Sequence, residues 1–392
     1  MAMLCYNFRK RSDKQKGYKV KKTVKSFKNI LLKIFVKILR YFIKQNTIQE
    51  RFLVVSTTGL GDTLWGTPSI RSLREQYPKG YIAVLTSHIG KELLENNPYI
   101  NDLFLLKKPI ITSLISLYSK LKKKKFSYIL FFHSSQRIVL PFVYLLGAKK
   151  IIGTEGSNKG LDSLMTHLLP KKPQHEIVRR LEIIAALIGK KPAHHRIEIA
   201  LSEQDKKNAL PLIDHLQDHI HPCILLHPGS KDIFKRWPSS HFIALGNLLS
   251  TQHKCHIFIT GNQSEKELVL QIASNIPNST SLIDLPLKTF AALIQNMDLM
   301  VCNDTGPMHM AFAVKTPTIA IFCPTNPHLC GPYAVKDYTV IAKKKTCSPC
   351  LQKKCANPFC MLQIGMQEVY EAVLHQLCKS EKFALKSLRK LS

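Results

Sequence analysis

Past Glu50 the chain alternates short apolar runs with longer amphipathic stretches, and it does so twice, with a restart near Cys223. No other feature limits the fold as much. Apolar runs too short for buried helices, separated by stretches of helical periodicity, predict strand-helix units wound into parallel sheets. In the first series, 52–56 reads as a buried strand, 57–62 as a glycine-containing loop and 63–76 as a helix. Strands follow at 81–86, 128–132 and 150–153, with a helix near 91–96. Pro170-Lys171-Lys172-Pro173 and Lys190-Lys191-Pro192 flank a helix over 176–187, and a further helix is expected over 204–218. In the second series, 224–227 is a strand, 228–236 a loop, and Trp237-Pro238 opens a helix with proline in its first turn. Strands at 254–260, 299–303 and 318–322 alternate with helices, the first of these over 264–274. Two open α/β units of this kind hold ligands in the cleft beyond the carboxyl ends of their strands. At 392 residues the chain suits two such domains, 51–200 and 201–378, between an N-terminal extension (1–50) and a basic tail (379–392).

Charge narrows the partners. Lys and Arg number 57 against 26 Asp and Glu, a net charge of +31, which calls for a polyanionic partner. Part of the excess lies in residues 1–50, where 14 cations face only two acids, Asp13 and Glu50. There Phe27, Ile30, Leu31, Ile34, Phe35, Ile38, Leu39 and Phe42 recur at the spacing of one helical face, and Lys33, Lys37, Arg40 and Lys44 form a second stripe. Such a basic amphipathic helix suits the interface of an anionic membrane, where each cation contributes roughly 1 kcal/mol; residues 23–45 are the expected contact. Packed on the protein's own body, the helix would instead turn its lysines to solvent. Lys28, Lys33, Lys37, Arg40 and Lys44 interrupt the apolar stretch, which therefore falls short of the ~20 residues of a membrane span and of a continuous signal-peptide core. A cytoplasmic location is expected. Aromatic and arginine platforms do not interleave along the chain, so nucleic acid is not the expected partner. Of the 11 cysteines, ten lie after residue 222, which is no secreted disulfide framework, and reduced thiols are expected.

Three loops carry residues suited to chemistry. Thr58-Gly59-Leu60-Gly61-Asp62 joins a strand to a helix, so Asp62 either caps the helix or stands at the cleft floor as a general base. The pair Gly59 and Gly61 lacks the third glycine of a dinucleotide fingerprint. His227-Pro228-Gly229-Ser230 leads to Lys235-Arg236-Trp237-Pro238, where Lys235 is either solvated or a point charge for a phosphate leaving group. Asn303-Asp304-Thr305-Gly306-Pro307-Met308-His309 runs from a strand into a helix whose first amides can bind a pyrophosphate. The plainer reading has Asp304 or Thr305 capping that helix and His309 packing in its first turn. A fourth stretch, Cys347, Cys350, Cys355 and Cys360, could suit a structural zinc site, although it lacks a second C-x-x-C pair.

Taken in order, Gly61-Asp62-Thr63-Leu64-Trp65-Gly66-Thr67-Pro68 continuing to Arg74, His227-Pro228-Gly229-Ser230 with Lys235-Arg236-Trp237-Pro238, and Asn303 to His309 continuing through Pro317 to Phe322 resemble the lipopolysaccharide heptosyltransferases, glycosyltransferase family 9. The resemblance covers about 51–375, and the cysteine-rich segment is similar to that of the heptosyltransferase II branch. It implies the GT-B architecture, an α/β fold of two Rossmann-like domains facing across a cleft, with the acceptor on the N-terminal domain and a nucleotide sugar on the C-terminal one. It further implies that Asp62, in an acceptor-side loop with Thr58, Gly59 and Gly61, is the base, and that Lys235 steadies the leaving group. By the same resemblance the donor is bound by His227, Ser230, Lys235, Asp304, Thr305, Gly306, Pro307, Met308 and His309, with Glu265 near the ribose. Cys323 and Lys315 stand where the family has glycines, and the basic extension lies outside the family core.

The resulting expectation is an inverting glycosyltransferase that needs no cofactor and no divalent metal. It would move heptose from ADP-heptose to Kdo-lipid A or heptosyl-Kdo-lipid A, as a peripheral protein on the cytoplasmic face of the inner membrane. Three rival readings are a GT-B enzyme using another nucleotide sugar, a nucleotide-sugar epimerase, and a non-catalytic sugar-binding membrane protein.

Overall fold

The computed structural model describes residues 28–213, 221–347, 350, 355 and 358–379. Its frame is two six-stranded parallel sheets. The first is formed by β1 (Arg51–Ser56), β2 (Tyr81–Thr86), β3 (Asp102–Leu105), β4 (Tyr128–His133), β5 (Lys150–Thr154) and β6 (His167–Leu169), in the spatial order β3-β2-β1-β4-β5-β6. The second is formed by β7 (Cys223–His227), β8 (His256–Gly261), β9 (Ser279–Ile283), β10 (Leu299–Asn303), β11 (Thr318–Phe322) and β12 (Tyr338–Ala342), in the order β12-β11-β10-β7-β8-β9. Numbered from its own first strand, each sheet reads 3-2-1-4-5-6. That order places a topological switch point between strands one and four, where open α/β sheets bind ligands. In this protein the switch points lie between β1 and β4 and between β7 and β10.

The central strands are buried on both faces: Phe52, Leu53, Val54 and Val55 of β1 and Ile224, Leu225 and Leu226 of β7 are fully enclosed. This explains why they read as continuous apolar runs rather than as alternating patterns. One apolar cluster crosses between the units, with Leu64, Leu93, Ile177 and Leu181 packed together with Phe290, Met308 and Phe312.

Several sequence expectations change. The helix expected over 63–76 is two helices, Leu60–Leu64 and Thr67–Gln76, broken at Trp65-Gly66. Pro68 in the first turn of the second needs no amide partner there, and a side chain on Gly66 would lie 3.1 Å from the Phe132 ring. The helix expected over 204–218 ends at Ala209, because Pro211 draws the chain into a 3-10 turn, Leu210–Leu212; 214–220 lie outside the described residues.

The N-terminal extension is helical over 28–41. It rests on the first domain through Leu32 and the buried Val36, while Arg40 donates to the Ala148 carbonyl at 2.7 Å and lies over the Tyr144 ring. Arg40 thus leaves the cationic stripe in which the sequence placed it, and burial lowers its pKa. The apolar positions Ile30, Leu31, Ile34, Phe35, Ile38 and Leu39 face outward. Phe27, the rest of 1–27 and the tail 380–392 lie outside the described residues. Among the described residues no helix is long and apolar enough to cross a membrane.

Candidate active site

The loop after β1 enters the helix Leu60–Leu64 with Gly59 as its N-cap, which puts Asp62 in the first turn. Asp62 does not cap the helix. Its Oδ1 instead accepts from Arg180 Nη2 at 2.8 Å. Arg180 belongs to the helix Glu176–Ile188 and is only 1% exposed. Its other terminal nitrogen donates to Glu176 Oε2 (2.8 Å) and to the Glu176 carbonyl (2.9 Å), and its guanidinium lies 5.4 Å from the Trp65 ring centroid. A buried cation between two carboxylates and an aromatic face is fixed in position, so it fixes Asp62 in turn. The Asp62 side chain keeps 27% exposure. It opens into a cavity of about 370 Å³ shared with Trp65, His133, Lys171, Arg179 and Cys330. His133, the last residue of β4, is held below the usual histidine range by burial; Asp62 opposes that shift and Arg180 adds to it. His133 is therefore a neutral imidazole beside a carboxylate.

Across the seam, the loop after β7 makes a 3-10 turn, Ile233–Lys235, and Lys235 Nζ reaches Asp304 Oδ2 at 2.6 Å. Asp304 follows β10, so this ion pair stands at the second switch point. Thr305 is the N-cap of the helix Gly306–Val314, and its hydroxyl makes no capping bond. With Pro307 in the first turn, the free amides of that end face the cavity described next. Met308 is wholly buried in the shared core, so only its backbone is available to a ligand.

A cavity of about 360 Å³ lies in front of this helix end, walled by Thr305, Gly306 and Pro307, by His227, Gly261, Asn262 and Glu265, and by Leu282, Leu285 and Phe290. His227 ends β7 and contacts Thr260 Oγ1 at 3.1 Å; burial, with Arg236 nearby, pushes its pKa down to about 4. Glu265 is buried, accepts from the Asn262 amide at 3.1 Å and lies 3.5 Å from Arg236 Nη2. Its carboxyl group fills the space a side chain at Gly229 would need, 2.3 Å away. Ser230 is buried nearby, its carbonyl taken by Arg236 Nε.

The two switch points meet at His309. A side chain on Gly61 would lie 3.0 Å from its Cδ2, and its ring stands edge-on to Trp65 with centroids 4.9 Å apart. Burial pushes its pKa down to about 4; Asp304 and Asp62 oppose that shift, whereas His175 and Lys235 reinforce it. Asp62, Lys235 and Asp304 are thus all within electrostatic reach of one imidazole. Gly306 similarly admits Leu60, whose Cβ is 3.2 Å from where a side chain would begin. A second bridge joins His175 Nε2 to the Gly331 carbonyl at 3.1 Å, with His175 stacked on Tyr333.

Of the sequence-predicted residues, His227, Glu265, Thr305, Gly306 and Pro307 wall the more enclosed cavity, Asp62 opens into the other, and Lys235, Asp304 and His309 line neither. Arg180 and His133 were missed. Arg180 had a readable signal: with Ile177, Leu181 and Ile184 it completes the i, i+3, i+4, i+7 stripe of its helix, so an arginine occupies the buried face. The cysteine segment is different. Cys323, which is not one of the four candidates, is pushed up to about 12 by burial and by its hydrogen bond with Cys360. Among the described residues no group of three or more metal-ligating side chains is arranged to hold an ion.

The family model of glycosyltransferase family 9 (heptosyltransferase) matches residues 115–360, more than half of the chain. Among curated proteins, lipooligosaccharide heptosyltransferase 2 of Campylobacter jejuni is 25% identical over 336 residues, covering 82% of this chain and 97% of the relative. Among solved structures, a family 9 glycosyl transferase from Veillonella parvula superposes with a TM-score of 0.77 at 20% identity, covering 86% of this chain and 100% of that one. The E. coli ADP-heptose lps heptosyltransferase II does so with a TM-score of 0.70 at 19% identity, covering 84% and 99%.

Proposed function

The chain belongs to glycosyltransferase family 9 and is a glycosyltransferase of GT-B fold; from that premise we propose that it transfers heptose from ADP-heptose to the inner core of lipopolysaccharide. The observation that carries this reading is the pairing of unlike switch points across one seam. A clamped carboxylate faces one cavity, a helix amino end faces another, and a lysine paired with Asp304 stands beside that helix end. The solved E. coli relative is named for ADP-heptose, and the C. jejuni relative for lipooligosaccharide. The acceptor belongs with 51–200 and the donor with 201–378.

In this mechanism the nucleotide occupies the 360 Å³ cavity, its base against Leu282, Leu285 and Phe290 and its ribose toward Asn262 and Glu265. The diphosphate faces the first amides of Gly306–Val314, where unpaired N–H groups and the helix dipole favour an anion. Lys235 then exchanges its Asp304 partner for the phosphates, and Asp304 is freed for the sugar hydroxyls. The acceptor hydroxyl attacks the anomeric carbon from the opposite side; its proton passes to Asp62 as the bond from carbon to the phosphate oxygen breaks, and ADP departs with the electron pair. Configuration inverts. Arg180 holds Asp62 in position through its 2.8 Å contact, and this makes it a positioning residue. A carboxylate suffices as the base when the transition state carries developing positive charge on the sugar ring and the proton moves late.

Lys171, Arg179 and the basic extension suit an acceptor bearing carboxylates and phosphates. We place the enzyme on the cytoplasmic face of the inner membrane, held there through 23–45. The test is incubation of the full chain with a panel of nucleotide sugars and with Kdo-lipid A or heptosyl-Kdo-lipid A, read by mass spectrometry. A mass gain of one heptose that needs ADP-heptose is the expected result. Gain from a different nucleotide sugar, or donor consumption without acceptor, overturns it.

A further inference from the structure

The outward apolar face of helix 28–41 does not stand alone. Beside it runs the helix Ile110–Lys123, whose Ile111 and Ile115 are 66% and 70% exposed, as open to solvent as Phe35 (60%) and Ile34 (52%) on the first helix. Between the two helices lies a groove of about 270 Å³, walled by Phe35, Val36, Ile111, Ile115, Ile138 and Phe142 among others, every wall residue being hydrophobic. Its one hydroxyl, on Tyr118, points to the Leu145 carbonyl. Exposed apolar side chains in such a continuous patch mark an interaction surface.

Charge says what covers it. Residues 103–154 contain ten Lys or Arg and no Asp or Glu, and 28–49 contain five and none. Lys107 and Lys108 precede the second helix, Lys120 and Lys123 close it, and all four are exposed, as are Lys37 on the first helix and Lys44, which lies after it beside Lys122 and Lys123. An apolar patch ringed by cations with no acid is complementary to an anionic bilayer, its acyl layer under the patch and its head groups at the rim.

The position in the fold gives this a use. Ile111 lies just past the carboxyl end of β3, and Ile138 five residues past His133, the carboxyl end of β4. The groove therefore opens at the same edge of the first sheet as Asp62 and His133.

We propose that Ile110–Lys123 is a second membrane anchor, which seats Ile111 and Ile115 with helix 28–41 in the acyl layer of an anionic leaflet and so turns the acceptor side of the cleft toward the lipid surface. The proposal rests on the membrane reading of 23–45 given above and adds a second element to it. The test is co-sedimentation of the full chain with phosphatidylcholine vesicles, with and without phosphatidylglycerol. The double variants Ile111→Ser/Ile115→Ser and Ile34→Ser/Phe35→Ser alter only exposed positions. Each is expected to weaken binding to the phosphatidylglycerol vesicles by about tenfold or more, with unchanged turnover on a deacylated, water-soluble acceptor. An Ile115→Trp variant is expected to shift its emission to the blue on those vesicles only. If the Ile111/Ile115 variant binds like the parent while the Ile34/Phe35 variant does not, the second anchor falls and the first reading stands. If neither loses binding, both fall. Equal binding to pure phosphatidylcholine removes the anionic requirement, and a change in oligomeric state without loss of vesicle binding makes the face a contact between copies. Either result overturns the proposal.

Discussion

The two sheets share one strand order and present opposite chemistry at the same place. After β1 the first sheet offers a carboxylate, Asp62, tied by Arg180 to a second carboxylate, Glu176. After β7 and β10 the second offers Lys235, Asp304 and a helix amino end facing a cavity. Topology sets where side chains converge, because the switch point lies between strands one and four in both sheets. The residues placed there decide what each half does. A fold duplicated in this way becomes an enzyme for joining two substrates when one copy holds a base and the other holds a leaving group.

Exchanging the decisive group on either side should break that division unequally. Asp62→Asn keeps the shape and a hydrogen-bond partner for Arg180 but removes the base, and turnover is expected to fall by ~10³-fold. ADP affinity, measured by calorimetry, should stay within about twofold, since the Asp62 side chain does not line the nucleotide cavity. Comparable loss of ADP binding would show that the halves are not separable.

The second switch point also holds two buried histidines. His227 and His309 both drop from 6.5 to about 4, chiefly through burial. Below pH 6.5 the unfolded chain protonates these rings, whereas the folded one resists until about pH 4. Unfolding therefore takes up protons in that window, and stability falls as the pH is lowered through it, by up to about 3 kcal/mol for each ring. Thermal unfolding followed from neutral pH downward should show the decline, and a His227→Asn variant should show a shallower one. An identical slope in the variant would remove His227 from the account.

Lys235→Ala tests the leaving-group side. Loss of one preorganised cation at the developing charge is expected to lower kcat by about 10²-fold, with a weaker affinity for ADP than the parent. This is the reverse of the Asp62→Asn signature. Steady-state kinetics alongside calorimetry separates the two, and a Lys235→Ala enzyme with unchanged ADP affinity would confine the lysine to pairing with Asp304.

How much of this the sequence discloses depends on burial. The strands at the centre of each sheet are enclosed on both faces, and their apolar runs were readable; Tyr81–Thr86, Leu299–Asn303 and Thr318–Phe322 match residue for residue. The four strands missed are β3, β6, β9 and β12, and all four are sheet edges. They are short and only partly buried, and His167–Leu169 and Ser279–Ile283 carry polar residues and no run, although Leu103-Phe104-Leu105 of β3 is apolar. The site divides in the same way. Motif residues on loops, such as Asp62, Lys235 and Asp304, were readable because loop chemistry is local. For Arg180 only the buried position is legible, from the stripe of its helix; its partner is not, since Asp62 lies 118 positions away and only the fold brings them together. The outward face of helix 28–41 was legible as a stripe, but the sequence could not tell that Leu32, Val36 and Arg40 would supply the inward one.

The smallest expected effect gives the sharpest test of how closely the halves meet. Gly59 and Gly61 flank Leu60 in one short loop and read alike in the sequence, but their surroundings differ. At Gly59 a methyl group would meet nothing within 4 Å, and φ is −80°, an angle open to any residue. At Gly61 the same methyl would lie 3.0 Å from His309 Cδ2 and 3.7 Å from Trp65, so His309 must yield or the lobes must part. His309 is buried and packed on Trp65, which leaves parting as the easier response. Gly59→Ala should leave both kcat and KM within about twofold of the parent. Gly61→Ala gains some helix propensity, of order 1 kcal/mol, so its stability should hardly change while its kcat/KM falls by about tenfold through misplacement of Asp62 against the donor. Kinetics on both variants beside their melting temperatures decides the matter. Equal activity in the two would mean that the close approach of Gly61 to His309 plays no part in the reacting state, and that catalysis proceeds with the lobes further apart than they stand here.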